Sequence, residues 1–291
     1  MVINTSEWLD AFFDSYYRHR PVNATFIGVH EHDHRLPDYS QENVAAQLAE
    51  IRHLLEQVDG GEVSPPTTQW EAIDRLLARN FLLTQVWELG ETVIVLGNPC
   101  LYTGEAVFGI VSLFLRDYAP LDQRVAAAVE RLTAIPALLQ QGQTNVTSCP
   151  SAWIDRAVNE CDGAEKLLTD GVEVLRRRHG VTGDDFHQAV GVARDAFQGF
   201  RQHLTDVVSQ HGHDDYAAGA EPFDMLLRLG HCLDMDGPTV SAYARRRMQE
   251  ARELLREGAA QIDPAVTPQE LLARLSEIHP SRDAYYGAYQ E

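Results

Sequence analysis

Several things are scarce in this sequence, and each scarcity removes a class of protein. Cysteine is limited to Cys100, Cys149, Cys161 and Cys232, with no C-x-x-C pair. That spacing fits no zinc ribbon and agrees with a reduced, cytoplasmic chain. Basic residues are outnumbered, 24 Lys+Arg against 43 Asp+Glu, for a net charge of -19. Such a surface repels nucleic-acid phosphates and anionic lipid. The arginine triplets at 176–178 and 245–247 lie among acidic residues and read as solvated helix faces. The most apolar run, AVFGIVSLFL, is bounded by Glu105 and Arg116 and is too short to span a bilayer, so it reads as a buried helix. The opening MVINTSEWLD has neither a basic n-region nor an apolar h-region, so no signal peptide is expected. Strand signals are nearly absent. ETVIVL, Glu91 to Leu96, continues a helical pattern without a break and is read as helix. There is no G-x-S-x-G, P-loop, G-x-G-x-x-G or solenoid repeat.

What is abundant is helical periodicity. Ser40 is placed to cap a helix carrying Val44, Leu48, Ile51, Leu55 and Val58 on one face, and Gly60-Gly61 ends it. Trp70, Ile73, Leu77, Leu83 and Trp87 repeat at helical spacing and are expected to face inward. Asn98-Pro99 punctuates the chain before the apolar helix. The next helix starts near Leu121, and Pro136 should kink or restart it. Phe186, Val190, Ala193, Phe197, Phe200, Leu204 and Val207 form a packed seam in steps of four and three. Thr267-Pro-Gln-Glu270 is a capping box with proline at the first helical position. The expectation is an all-α unit over residues 1–291, a multi-helix bundle of roughly eight to eleven helices in antiparallel hairpins.

His30-Glu31-His32-Asp33-His34 fits H-E-x-x-H literally. In a zinc peptidase a continuous helix stacks the two histidines one turn apart, with the Glu beside the metal-bound water. Here Gly28 precedes the motif, Pro37 follows it, and Asp33 and Asp38 are turn formers. The stretch reads as a loop between a helix ending near Arg18 and one starting after Ser40, so a metal set of His30, Glu31 and His34 is a minor alternative. His211-Gly-His213-Asp214-Asp215 offers cation ligands, with a polar inter-helix loop as the plainer reading. Cys149 before Pro150 and Cys232 beside His231 are nucleophile settings by position, read as inert buried thiols.

Four segments, in order, resemble the DUF885 family of bacterial proteins: FFDSYYRHRPVNATFIGVHEHDHRLPDYS, the stretch from NPCLYTGEAVFG to the I-P-x-L-L of Ile135–Leu139, HDDYAAGAEPFDMLLRLGHCLDMD, and IHPSRDAYYGAYQE. The resemblance implies an all-α fold like the helical clefts of zinc peptidases. It also implies full-length members about twice this long, whose H-E-x-x-P-G-H zinc helix and further Glu ligand lie in a C-terminal half. The loop around His30 matches the family's N-terminal loop, not its zinc helix. The chain is thus similar to the N-terminal, non-metal half of such a fold.

The functional expectation is a subunit of a zinc-dependent hydrolase acting on a peptide or amide, with no catalytic residue and no cofactor of its own. Zinc is expected in a partner chain that carries the other half, unless the exposed face is covered by self-association. His30, Asp33, Asn98 and Tyr102 are the candidates for the substrate cleft, each with local loop hydrogen bonding as the simpler role. Asp38 is read as a cap or turn residue. Two other functions stay open: a non-catalytic binding or regulatory module, and a stand-alone hydrolase using the His-rich loop or a cysteine.

Overall fold

The computed structural model describes residues 3–90, 92, 95–179, 181 and 183–290. Among these the chain is all-α, with isolated β-bridges only at Ile3–Val63 and Pro150–His213. Backbone contacts divide it into two compact units, 1–219 with 229–232, and 220–228 with 233–291.

The first unit opens with α1 (Thr5–His19), capped by an Asn4–Glu7 capping box. A short helix not expected from the sequence follows, α2 (Pro21–Ile27), started by proline and stopped by Gly28 at φ 100°. Next come α3 (Gln41–Asp59), capped by Ser40, and α4 (Gln69–Gly90). Trp8, Phe12, Ile51, Leu55, Ala78 and Leu82 build a core among α1, α3 and α4, and the Trp8 indole donates to the Leu54 carbonyl at 3.0 Å.

The apolar stripe assigned to α4 does not face inward along its length. Trp70, Ile73 and Leu77 are exposed, while Ala78, Asn80, Leu82 and Gln85 are buried. The helix is apolar on more than one face, so periodicity alone selected the wrong one. Of the ETVIVL segment, Glu91, Val93 and Ile94 lie outside the described residues, and Val95 to Gly97 form a turn rather than a helix.

A second core, in the same unit, lies among α5 (Pro99–Val111), α6 (Leu121–Asn145), α7 (Ser151–Lys166) and α9 (Asp184–Asp206). Asn98 caps α5, and a 3-10 turn (Ser112–Phe114) follows it. α6 continues through Pro136 without a break. A π-helical turn, Leu167–Gly171, joins α7 to α8 (Val172–His179). The α9 seam is buried as expected up to Leu204. The helix ends at Asp206, Val207 is exposed, and Val208 takes the inward place.

The second unit holds most of α10 (Ala220–Gly230), then α11 (Gly237–Ile262), α12 (Pro268–Ser276) and the single turn α13 (Tyr285–Ala288). The Thr267–Glu270 capping box forms as expected. Within this unit the buried hydrophobic residues are Leu227, Ala259 and Leu271. Leu254, Ile262, Ile278 and Tyr286 are each more than two-thirds exposed.

Candidate functional site

The first loop begins where α2 ends. Gly28 takes a left-handed conformation that a β-carbon would disfavour, and residues 31–34 form turns. A helical H-E-x-x-H is therefore not built. Glu31 and His34 are exposed, whereas the His30 imidazole turns onto Asp33, Nδ1 to Oδ2 at 3.1 Å. Among the described residues no group of three or more His, Cys, Asp or Glu is arranged to hold a metal ion. The donor set of this loop does not fit a catalytic zinc, because the His30 imidazole is committed to a carboxylate and Glu31 and His34 point into solvent from a turn.

Asp33 is instead one link of a buried network. The Thr25 hydroxyl donates to its Oδ1 at 2.6 Å. Arg131 of α6, fully buried, reaches back across the sequence to the same place. Its guanidinium donates to the Gly109 carbonyl at 2.6 Å, Ser112 Oγ at 3.2 Å, Thr25 Oγ1 at 2.7 Å and the Pro21 carbonyl at 3.2 Å. One arginine thus ties α2, the end of α5 and the first loop to α6. Burial pushes the Arg131 pKa down to about 10, against the opposing pull of Asp33. The His30 ring stacks on Tyr118, whose hydroxyl pKa is raised by burial and then by Asp33 nearby.

A second buried polar seam runs between the two cores. The Arg20 guanidinium lies over Tyr16 and Phe81, 5.0 Å and 4.8 Å from the ring centroids, and bonds to Gln85, which bonds in turn to Glu88. Burial raises the Glu88 and Glu105 carboxyls above the usual range although Arg20 opposes it, and Glu105 Oε2 is buried without a hydrogen-bond partner. Tyr39 is raised well above its ordinary value by burial and by Glu105. None of these residues was singled out from the sequence. The available signal was Glu105, a carboxylate on an otherwise apolar helix.

The other expected site residues serve local structure. Asn98 accepts the Cys100 N–H at 3.0 Å as an N-cap. Tyr102 is fully buried, donates to the Leu96 carbonyl at 2.8 Å, and receives Asn145 Nδ2 at 2.9 Å. His30 and Asp33 are joined, while Asn98 and Tyr102 belong to a separate group around the start of α5. Asp38 anchors the approach to α3, accepting Ser40 N–H at 2.9 Å and Gln141 Nε2 at 2.8 Å. The loop at 211–215 is exposed, and its His213 pairs with the chain at Pro150. Cys149 is a buried thiol pushed up to about 11. Cys232 corrects its sequence reading: it is exposed, at φ 53°.

In fold, the chain is similar to the solved structure of a putative lipoprotein of unknown function from Shewanella oneidensis, with a TM-score of 0.76 and 19% identity. That likeness covers 96% of this chain and 54% of the other, so the chain spans about half the length of that neighbour. No curated protein matches the sequence. The family described as "Bacterial protein of unknown function (DUF885)" matches residues 21–291, nearly the whole chain. The chain therefore belongs to the DUF885 family.

Proposed function

We propose that this chain is the non-metal half of a DUF885-type, metallopeptidase-like hydrolase acting on a peptide or amide bond. A complementary half, which the sequence reading assigns to a separate chain, would carry the H-E-x-x-P-G-H zinc helix. The observation that carries this reading is the surface of the second unit. Its helices leave Leu254, Ile262, Ile278 and Tyr286 in water and enclose little beyond Leu227, Ala259 and Leu271. These exposed apolar side chains are what a covering partner would bury. The solved neighbour is about twice as long, which supports a cover of comparable size. On this reading the zinc half supplies the metal-activated water, and this chain supplies a cleft wall, substrate positioning and water exclusion. His30 and Asp33 are its candidates for contact with substrate.

Coexpression with a polypeptide bearing the H-E-x-x-P-G-H half tests it. A stable one-to-one complex that holds zinc and cleaves peptides is expected. His30→Ala should lower the activity of that complex while this chain stays folded. A complex that never forms, leaving a monomer that binds no apolar dye, sinks the proposal and favours a self-contained binding module.

A further inference from the structure

α5 packs on α7, and along their seam lie two adjoining hollows of about 560 Å³ and 240 Å³. Val111 and Leu167 line both, so the two form one trough. One wall runs from Thr103 to Leu115, about 18 Å at the rise of a helix. The other follows α7, the π-helical turn and α8 as far as Leu175. The walls are apolar, and polar side chains line one end only: Thr103, Asn159 and Glu160. Glu160 is already engaged by the Thr103 hydroxyl and by Arg156 Nε. The Asn159 amide is exposed and has no partner among the described residues. On α5, positions 104, 107, 108 and 111 share the trough face, and on α7 positions 160, 163, 164 and 167 do. Gly104 and Gly163 therefore look onto the trough, and a β-carbon at either would meet no atom within 4 Å. Glycine inside a helix costs stability relative to alanine, and no close packing within the chain requires it at these two places.

The dimensions select the occupant. Helices in contact stand roughly 8–10 Å apart, so the mouth of the trough covers at most about 180 Å². A stable protein partner needs about 800 Å² on each side. A helix, about 10 Å across, would ride on the rim instead of entering. A linear hydrocarbon chain is narrow enough to enter, and apolar walls ask for no hydrogen bond in return. The larger hollow alone falls within the roughly 300–1,000 Å³ of small-molecule sites. We propose that this trough binds the alkyl chain of a single-chain fatty acid. The carboxylate sits at the polar end, where the Asn159 amide donates to it and Arg156 offsets the charge of Glu160. The methyl end lies toward Leu175 and Phe186. The trough belongs wholly to the first unit and uses none of the residues assigned to the hydrolase cleft, so the inference stands apart from that reading.

The test is calorimetric titration of the full chain with dodecanoate and with shorter carboxylates down to hexanoate, each kept below its micelle-forming concentration. Saturable one-to-one binding of dodecanoate is expected, weakening about fourfold for each methylene removed. Gly163→Leu places a side chain in the trough with no neighbour to strike, and should weaken dodecanoate binding by about tenfold or more. Gly199→Leu makes the same exchange on an exposed face of α9 outside the trough, and should leave binding unchanged. Leucine is the better helix former, so both variants should melt at or above the parent. No saturable binding, an affinity that ignores chain length, or binding untouched by Gly163→Leu overturns the proposal. Self-association that Gly163→Leu abolishes, with no dodecanoate bound, assigns the trough to a second copy and overturns it as well.

Discussion

The imidazole of His30 lies flat on the ring of Tyr118, with centroids 3.6 Å apart and planes 5° from parallel. The contact clamps the first loop onto the segment that follows the 3-10 turn, and the His30–Asp33 hydrogen bond holds the ring there. His30→Ala removes both and should destabilise the chain by about 1–2 kcal/mol. Urea denaturation followed by circular dichroism measures it. An unchanged midpoint would mean that the stacking adds nothing to stability.

Arg131 is the larger anchor. Arg131→Met keeps the volume but strips donors from the carbonyls of Gly109 and Pro21 and from Thr25 and Ser112. A loss of about 3 kcal/mol or more is expected, because several buried acceptors are orphaned together. Arg131→Lys restores a charge without the planar fork and should recover only part of it. A methionine variant as stable as the parent would show the network to be dispensable.

Glu105 gives a pH signature. Burial raises its carboxyl in the folded chain, although Arg20 and Arg131 pull the other way. The folded state therefore holds this proton more tightly than the unfolded one, so stability falls as pH rises through the carboxylate range. Glu105→Gln should stabilise the chain at pH 7, with the gain shrinking toward acid, where the native carboxyl is itself neutral. Denaturation midpoints across that range decide it; a variant less stable at pH 7 would mean that the arginines outweigh burial.

Gly142 of α6 lies against a ring from α5 and a ring from α9. A β-carbon there would stand 2.9 Å from the Tyr102 ring and 3.0 Å from that of Phe200. Both rings are fully buried and have little room to move. Gly142→Ala should therefore cost about 1–3 kcal/mol, despite alanine's better helix propensity. A thermal midpoint at or above that of the parent would contradict this packing.

Thiol reactivity separates the cysteines. Burial holds Cys100 and Cys149 at about 11 and Cys161 at about 12, whereas Cys232 is exposed. An aromatic disulfide reagent at pH 8 should titrate Cys232 rapidly in the native chain and the other thiols only on unfolding. Fast reaction of Cys149 or Cys161 would contradict their burial.

Local chemistry was sufficient for most of the longer helices, though not for α2, for the turn at Val95–Gly97 or for the continuity of α6 through Pro136. The caps at Ser40 and Thr267, the inward faces of α3 and α9, and the non-helical backbone around His30 follow from side-chain spacing, glycine and proline, which act over a few residues. The inward face of α4 did not follow, because its apolar residues wrap around the helix and its neighbours select which of them is covered. The polar networks were equally out of reach. Thr25 and Arg131 are separated by 106 positions, and Arg20 meets Gln85 across 65. Nothing near a buried arginine in sequence shows that it is buried, since only the folded chain brings its carbonyl, hydroxyl and carboxylate partners together and removes the water that would otherwise solvate it.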